Sequence, residues 1–246
     1  MQVSVLAAVI RDYSLDDDRI LLLLTKEHGL ITAYAKGAKK PSGKMAAATE
    51  LFSYSRFTLF HYKDRYSINN AELEKSFLRL RKDILGLALA SYICEITAEL
   101  APKEQPAEEF FRLFLNTLHF INEGNQDFNL LKAIYELRIM TLSGFMPDLV
   151  GCRGCACFAH EEIYFLPALG ELVCADCLDE QDGERFLLPE GVLAAMRHIV
   201  YSEFVKLFAF RFSEEGARYL SAISESYLQY HLEKRLKCLD FYKSLC

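Results

Sequence analysis

Residues 19–36, RILLLLTKEHGLITAYAK, contain two short apolar runs separated by a turn with a glycine. Apolar runs of this length between turn residues are typical of β-strands. Three further runs of this kind are VSVLAAVI (3–10), ELFSYSRFTLFHY (50–62) and RYSINNAEL (65–73). The connections are too short for crossover helices, so we expect an antiparallel or mixed sheet. Five short strands that close on themselves predict a small barrel, the OB-fold.

From about residue 76 the apolar residues recur every three or four positions, which predicts helices. Gly124 is placed to end one helix, and Asp127 and Gly144 are placed to begin and end the next. Pro189 is expected to precede a helix, and one long helix is predicted from about Ser213 to Leu245. The expected fold is α+β, with an OB-fold domain at 1–78 and an all-α helical domain at 79–246 that carries an inserted cysteine module at about 150–180.

The composition excludes a disordered or collagen-like chain, because 52% of the 246 residues are hydrophobic. The first residues, MQVSVLAAVIRDYS, have no basic residue before the apolar run and no usual cleavage pattern. The apolar run Ile20–Leu24 has five residues, whereas a membrane span needs about 20. We therefore expect a cytoplasmic protein with no membrane partner.

Five of the eight cysteines fall between residues 152 and 177, and four of them form two C-x-x-C pairs, Cys152/Cys155 and Cys174/Cys177. The 18 residues between the pairs match the spacing of zinc ribbons and fingers. Two tight knuckles complete a tetrahedral shell of four sulfurs, with Gly154 supplying the turn in the first and a short hairpin through residues 168–170 between them. The spacing predicts one structural Zn²⁺.

Three alternatives to this assignment stay open. Four thiolates also hold iron, so the spacing does not decide the metal. Cys157 adds a further thiol beside Cys155, so a ligand set that includes Cys157 is possible. A redox role for the C-x-x-C pairs is the weakest alternative, because it requires a thioredoxin-like βαβ context that the sequence lacks.

The formal net charge of −6 is unevenly distributed. Residues 1–80 hold 12 Lys plus Arg and 9 Asp plus Glu, a net charge of +3, and residues 81–246 hold 16 and 25, a net charge of −9. No carboxylate occurs from His28 to Thr49, and a loop of nine residues within that stretch contains Lys36, Lys39, Lys40 and Lys44. Such lysines reach phosphates and release counterions, so this loop is a candidate DNA contact.

Arg56 follows in the next predicted strand and is a further DNA-contact candidate. Aromatic residues surround it, and exposed aromatics on an OB-type face stack on bases; these residues are Phe52, Tyr54, Phe57 and Phe60. The alternative interpretation is a solvated loop and aromatic residues that belong to the core.

No phosphate-binding, dinucleotide-binding or nucleophile-elbow motif occurs, and the six histidines form no H-E-x-x-H. The sequence therefore predicts a protein that is not an enzyme and has no catalytic residue.

Three segments, in this order along the chain, resemble the RecO family of bacterial DNA repair and recombination proteins. The first is LTKEHG (24–29) with AKGAKK (35–40), and the second is GFMPDL (144–149) leading into Cys152. The third is YLQYHL (227–232) with LKCL (236–239). One departure is Ala156, where the family usually has glycine.

The resemblance implies an OB-fold followed by a helical domain with a four-cysteine zinc module. It implies binding of single- and double-stranded DNA and annealing of complementary strands, including strands coated by single-stranded DNA-binding protein. It also implies work with the partner RecR to load the RecA recombinase, and hence a nucleoid-associated protein. By position, the lysine segment 36–44 becomes the DNA contact, and the four cysteines become the zinc ligands.

Two other functions remain open. A zinc-containing protein-interaction adaptor would suit the acidic region 81–246, whereas a thiol redox protein would require a cycling disulfide.

Overall fold

The computed structural model describes residues 2–15, 17–37, 45–63 and 65–246. Its first five strands close into a barrel in the order β1-β2-β3-β5-β4, which confirms the predicted five-stranded OB-type barrel. The strands are β1 (Gln2–Leu15), β2 (Asp18–Thr25), β3 (Gly29–Ala35), β4 (Tyr54–Tyr62) and β5 (Arg65–Lys75). The sheet is mixed, because β3 and β5 pair in parallel and the other neighbours pair antiparallel.

The barrel interior follows from the alternation of residues along each strand. In β3, Ile31, Ala33 and Ala35 are buried, whereas Thr32 and Tyr34 are exposed. A larger set of alternating apolar side chains completes the core, including Val5, Ala7, Val9, Leu21, Leu23, Phe57 and Leu59. Strand β1 pairs with two neighbours: residues 2–8 pair with β4, and residues 7–15 pair with β2, with an irregularity between Val9 and Arg11.

Six helices follow in the described part of the chain: α1 (Ile84–Leu100), α2 (Glu108–Glu123), α3 (Phe128–Leu142), α4 (Glu190–Tyr201), α5 (Glu214–Leu232) and α6 (Lys237–Lys243). The predicted ends are confirmed where capping residues define them. The Asp127 carboxylate accepts the N–H of Leu130, and the Ser213 hydroxyl accepts the N–H of Gly216. Gly124 ends α2 in the left-handed conformation.

The prediction of one long helix from Ser213 to Leu245 is wrong. Glu233 adopts a left-handed conformation with φ of 48°, which ends α5. A new helix, α6, then begins where the Glu95 carboxylate of α1 accepts the N–H groups of Lys237 at 3.1 Å and Cys238 at 2.8 Å. The partner of these N–H groups lies far away in the sequence, so local periodicity does not reveal the break.

Backbone contacts divide the chain into two compact units, residues 1–124 with 236–246 and residues 125–235. The barrel belongs with α1 and α2, because the turn after β2 is hydrogen-bonded to the segment between those helices. Leu30 N–H donates to the carbonyl of Pro102 at 2.8 Å, and Ala107 N–H donates to that of Lys26 at 2.9 Å. The predicted domains 1–78 and 79–246 follow the change from strands to helices, and that division stays a prediction.

Among the described residues, no helix is both long enough and apolar enough to cross a membrane.

Candidate metal centre and nucleic-acid interface

A second, four-stranded sheet positions the two cysteine pairs. It consists of β6 (Asp148–Cys152), β7 (Ile163–Leu166), β8 (Glu171–Cys174) and β9 (Phe186–Leu187), in the order β6-β8-β7-β9. Cys152 ends β6 and Cys174 ends β8, and these two strands are parallel neighbours. The predicted hairpin is present, since β7 and β8 pair antiparallel. Both C-x-x-C pairs therefore leave the sheet at one edge.

The four thiols of Cys152, Cys155, Cys174 and Cys177 lie within 4.8 Å of one another. The sulfurs of Cys155 and Cys174 are 3.7 Å apart. In a tetrahedral site with Zn–S bonds of about 2.3 Å, neighbouring sulfurs are about 3.8 Å apart. The donor set therefore fits a metal ion that prefers four thiolates, and Cys157 is not among these four.

Backbone N–H groups stabilise the thiolate form of the first knuckle. Burial of Cys152 opposes ionisation, but N–H groups of Cys155, Cys174 and Gly154 donate to its sulfur, and together they lower its pKa to about 6. The pKa of Cys155 is also lowered, chiefly by the N–H of Cys157. Because metal ligands are deprotonated thiols, this arrangement favours metal binding.

Gly154 lies in the turn of the first knuckle, as predicted, although its φ is not positive. A Cβ at this position would lie 2.8 Å from the Cβ of Cys177 and 2.9 Å from its sulfur. Gly154 therefore allows the two knuckles to approach each other. The left-handed residue of the first knuckle is Ala156, with φ of 58°.

The structure describes two of the five candidate DNA contacts. Lys36 is exposed directly after β3, and Arg56 is exposed on β4. Arg56 is paired with Glu74 at 3.0 Å, and β5 lies between β3 and β4 in the barrel. The other three, Lys39, Lys40 and Lys44, lie outside the described residues.

Three of the four aromatic residues around Arg56 are not available for stacking on bases. Phe52 and Phe57 are buried in the core. Tyr54 packs edge-on against Phe111, with ring centroids 5.9 Å apart. Only Phe60 in this set is substantially exposed, so the core interpretation holds for most of these rings.

Comparison with known proteins agrees with this architecture. Residues 1–77 match the family model described as Recombination protein O N terminal, and residues 81–240 match the one described as Recombination protein O C terminal. The chain belongs to the RecO family. The two matched regions meet in the segment between β5 and α1 of this RecO-family protein.

Similar curated proteins cover nearly the whole RecO-family chain. The DNA repair protein RecO of Acetivibrio thermocellus is 32% identical, over 93% of this chain and 90% of that protein. The DNA repair protein RecO of Symbiobacterium thermophilum is 34% identical, over 94% of this chain and 92% of that protein. The resemblance predicted from the sequence is thus confirmed, and the family is one of DNA repair and recombination.

Tyr34 is an exposed aromatic residue of this RecO-family barrel that was not among the residues predicted to contact DNA. Tyr34 lies on the outer face of β3, next to Lys36 on the same face. The signal was present in LITAYAK, since a residue between buried Ala33 and Ala35 must point outward.

Proposed function

We propose that this RecO-family protein is a non-enzymatic recombination mediator. In this role it binds single- and double-stranded DNA, anneals complementary strands and helps RecR to load RecA recombinase. Family membership across both halves of the chain is the observation that carries the proposal. Such a mediator works in the cytoplasm, at the nucleoid.

The mechanism requires no covalent step. Two DNA strands repel each other through their phosphates, and lysines that bind both backbones lower that repulsion. The candidate residues are Lys36, Lys39, Lys40, Lys44 and Arg56. The exposed position of Lys36 at the end of β3 supports this role.

An annealing assay over a salt series tests the proposal. Replacing Lys36, Lys39, Lys40 and Lys44 by Glu should abolish acceleration of annealing and flatten the salt dependence of DNA binding. The matched control replaces four exposed basic residues outside the barrel and gives the same net charge; these are Lys82, Lys206, Arg211 and Lys243. Equal annealing by the two quadruple variants would contradict the proposal.

Arg56 needs a separate test, because Glu74 competes with phosphate for its guanidinium. If Arg56 contacts DNA, Glu74→Gln should strengthen binding and Arg56→Gln should weaken it. An unchanged affinity in both variants would remove Arg56 from the interface.

We infer that the metal is one structural Zn²⁺ held by Cys152, Cys155, Cys174 and Cys177. Four protein thiolates fill a tetrahedral shell and leave no position for substrate or water, so the ion supplies stability and not catalysis. Elemental analysis of the purified protein should find one zinc per chain, lost in Cys152→Ser and Cys174→Ser. Cys157→Ser is the matched control and should keep its zinc. Loss of zinc from that variant would place Cys157 in the ligand set. Iron in place of zinc in the unmodified protein would contradict the proposed identity of the metal.

The acidic region 81–246 favours one second candidate, a zinc-containing adaptor that binds proteins. Pull-downs with RecR and with single-stranded DNA-binding protein test the mediator. Recovery of neither protein, together with capture of RNA polymerase subunits, would favour the adaptor.

A further inference from the structure

A groove of about 480 Å³ opens on the outside of the barrel. Strands β2, β3 and β5 form it, and its lining residues are Ile20, Thr32, Tyr34, Arg65, Tyr66 and Ser67. Its volume lies within the range of small-molecule sites. The groove therefore has room for one flat ring system and its substituents.

Tyr34 lies at the centre of this groove, because its neighbours across the sheet are Ile20 on β2 and Ser67 on β5. Its hydroxyl donates a hydrogen bond to Asp18. The second oxygen of Asp18 accepts the N–H of Gly37 at 2.6 Å. Tyr34 as a residue is 38% exposed, lines the groove and is held through its hydroxyl, which leaves the ring accessible to a ligand.

Basic side chains flank the ring. Lys36 follows on the same outward face, and Arg65 is exposed at the start of β5. No carboxylate of residues 2–15, 17–37, 45–63 or 65–246 lies within ion-pair distance of Lys36 or Arg65. The Asp18 carboxylate accepts hydrogen bonds from the Tyr34 hydroxyl and the Gly37 N–H.

Tyr66 contributes to the wall and not to the open face. Its ring is stacked on that of His61, with centroids 4.3 Å apart and an interplanar angle of 17°. Tyr34 is therefore the ring in this groove that a flat ligand can cover.

An exposed aromatic face with an apolar floor and cations beside it is the arrangement that binds single-stranded nucleic acid. We propose that this groove, the Tyr34 groove, binds one unpaired base of single-stranded DNA, which stacks on Tyr34. Lys36 and Arg65 contact the adjoining phosphates. Bases in a duplex are already stacked, so the groove selects single strands. This inference rests on the proposed DNA-binding function and assigns it a base-binding residue.

A fluorescence experiment tests the stacking directly. The chain contains no tryptophan, so Tyr34→Trp creates a single reporter in the groove. Titration with oligo(dT) should quench the tryptophan emission. The quenching should saturate at the same oligo(dT) concentration as binding measured separately with labelled oligo(dT). The control is Tyr230→Trp, at an exposed position on α5, whose emission should not change. Unchanged emission from the Tyr34→Trp protein with DNA bound would overturn the proposal.

Affinity measurements give an independent test. Tyr34→Leu should bind oligo(dT) about tenfold more weakly, because it loses the stacking contact. Its affinity for an abasic strand of equal length should match that of the unmodified protein, and Tyr34→Phe should bind oligo(dT) nearly normally. Arg65→Gln should instead reduce the salt slope, by about 0.7 for one lost phosphate contact.

The outcomes separate the two proposals. If Tyr34→Leu binds oligo(dT) as tightly as the unmodified protein, while the quadruple lysine variant does not bind, the base site is wrong and the mediator function stands. If the unmodified protein binds neither oligo(dT) nor duplex DNA, the proposed function itself fails.

Discussion

At the residue scale, Ala156 has a backbone conformation that its side chain must tolerate. Ala156, directly after Cys155, has φ of 58°. L-residues pay a steric cost in this left-handed region, and glycine does not. Ala156 is therefore more strained than a glycine would be at this position.

Ala156→Gly should stabilise the protein by about 0.5–1 kcal/mol, because relief of the left-handed strain exceeds the entropy cost of glycine. Urea unfolding of the metal-loaded protein measures this change. The control is Ala168→Gly, in an exposed turn and without a positive φ, which should lower stability. Destabilisation of equal size by both substitutions would contradict the strain at Ala156.

Gly29 illustrates the opposite case, a glycine that the fold requires. Its φ is 57°, and a Cβ here would lie 2.2 Å from the carbonyl oxygen of Pro102 and 2.6 Å from that of Gln105. We expect Gly29→Ala to cost more than about 2 kcal/mol of folding stability. Gly124→Ala measures the cost of the left-handed backbone conformation alone. Its φ is 64°, and no atom lies within 4 Å of the added methyl group. Gly124→Ala should cost about 1 kcal/mol of folding stability, measured by thermal unfolding. An equal cost for Gly29→Ala would exclude the clash at Gly29.

At the element scale, a buried ionic network joins α3 to α5. The Lys132 ammonium lies 2.9 Å from Glu136 on its own helix and 3.0 Å from Glu225 on α5. It also donates to the carbonyl and hydroxyl oxygens of Ser221, at 3.2 Å each. The Lys132 side chain is 2% exposed and that of Glu136 is fully buried, so their charges depend on each other for stabilisation.

Lys132→Met should destabilise the protein by about 3–5 kcal/mol, because it leaves the Glu136 carboxylate buried without its cation. Urea unfolding measures this loss. The double variant Lys132→Met, Glu136→Leu removes both buried charges and should be more stable than the single variant. A double variant that is less stable than the single one would show that Glu136 is not the group left uncompensated.

At the scale of the whole molecule, the first compact unit contains two separate parts of the chain, residues 1–124 and 236–246. Helix α6 groups with residues 1–124, although 111 residues of the second unit, 125–235, precede it. The four-cysteine cluster belongs to that second unit. A loss of metal therefore acts first on the second unit.

Hydrogen exchange with and without a zinc chelator tests this division. After metal removal, amides of 125–235 should lose protection from exchange. Helix α6 packs against α1, so its amides should remain as protected as those of α1. Cys157→Ser without chelator serves as the control, with unchanged exchange in both units. Loss of protection in α6 together with α5 would contradict the grouping.

Features of the chain that depend on neighbouring residues were predictable from the sequence. Strands alternate with period two, helix ends carry their own caps, and each C-x-x-C knuckle is closed by cysteines three positions apart. The five strands, the ends of α2 and α3 and the pairing of β7 with β8 follow from such local chemistry. Family resemblance also depends on short segments in order, and the comparisons confirm it.

Features that depend on distant residues were decided only by the tertiary structure. The break between α5 and α6 involves Glu95 on α1, and the burial of Phe52 and Phe57 depends on the closed barrel. The Tyr34 groove exists because β3 pairs directly with β5, although β4 lies between them in the sequence. The sequence by itself determined the five barrel strands, the caps of α2 and α3 and the two C-x-x-C pairs, because each of these rests on the chemistry of neighbouring residues. Tertiary structure decided which faces stay exposed, because burial depends on partners brought together from distant parts of the chain.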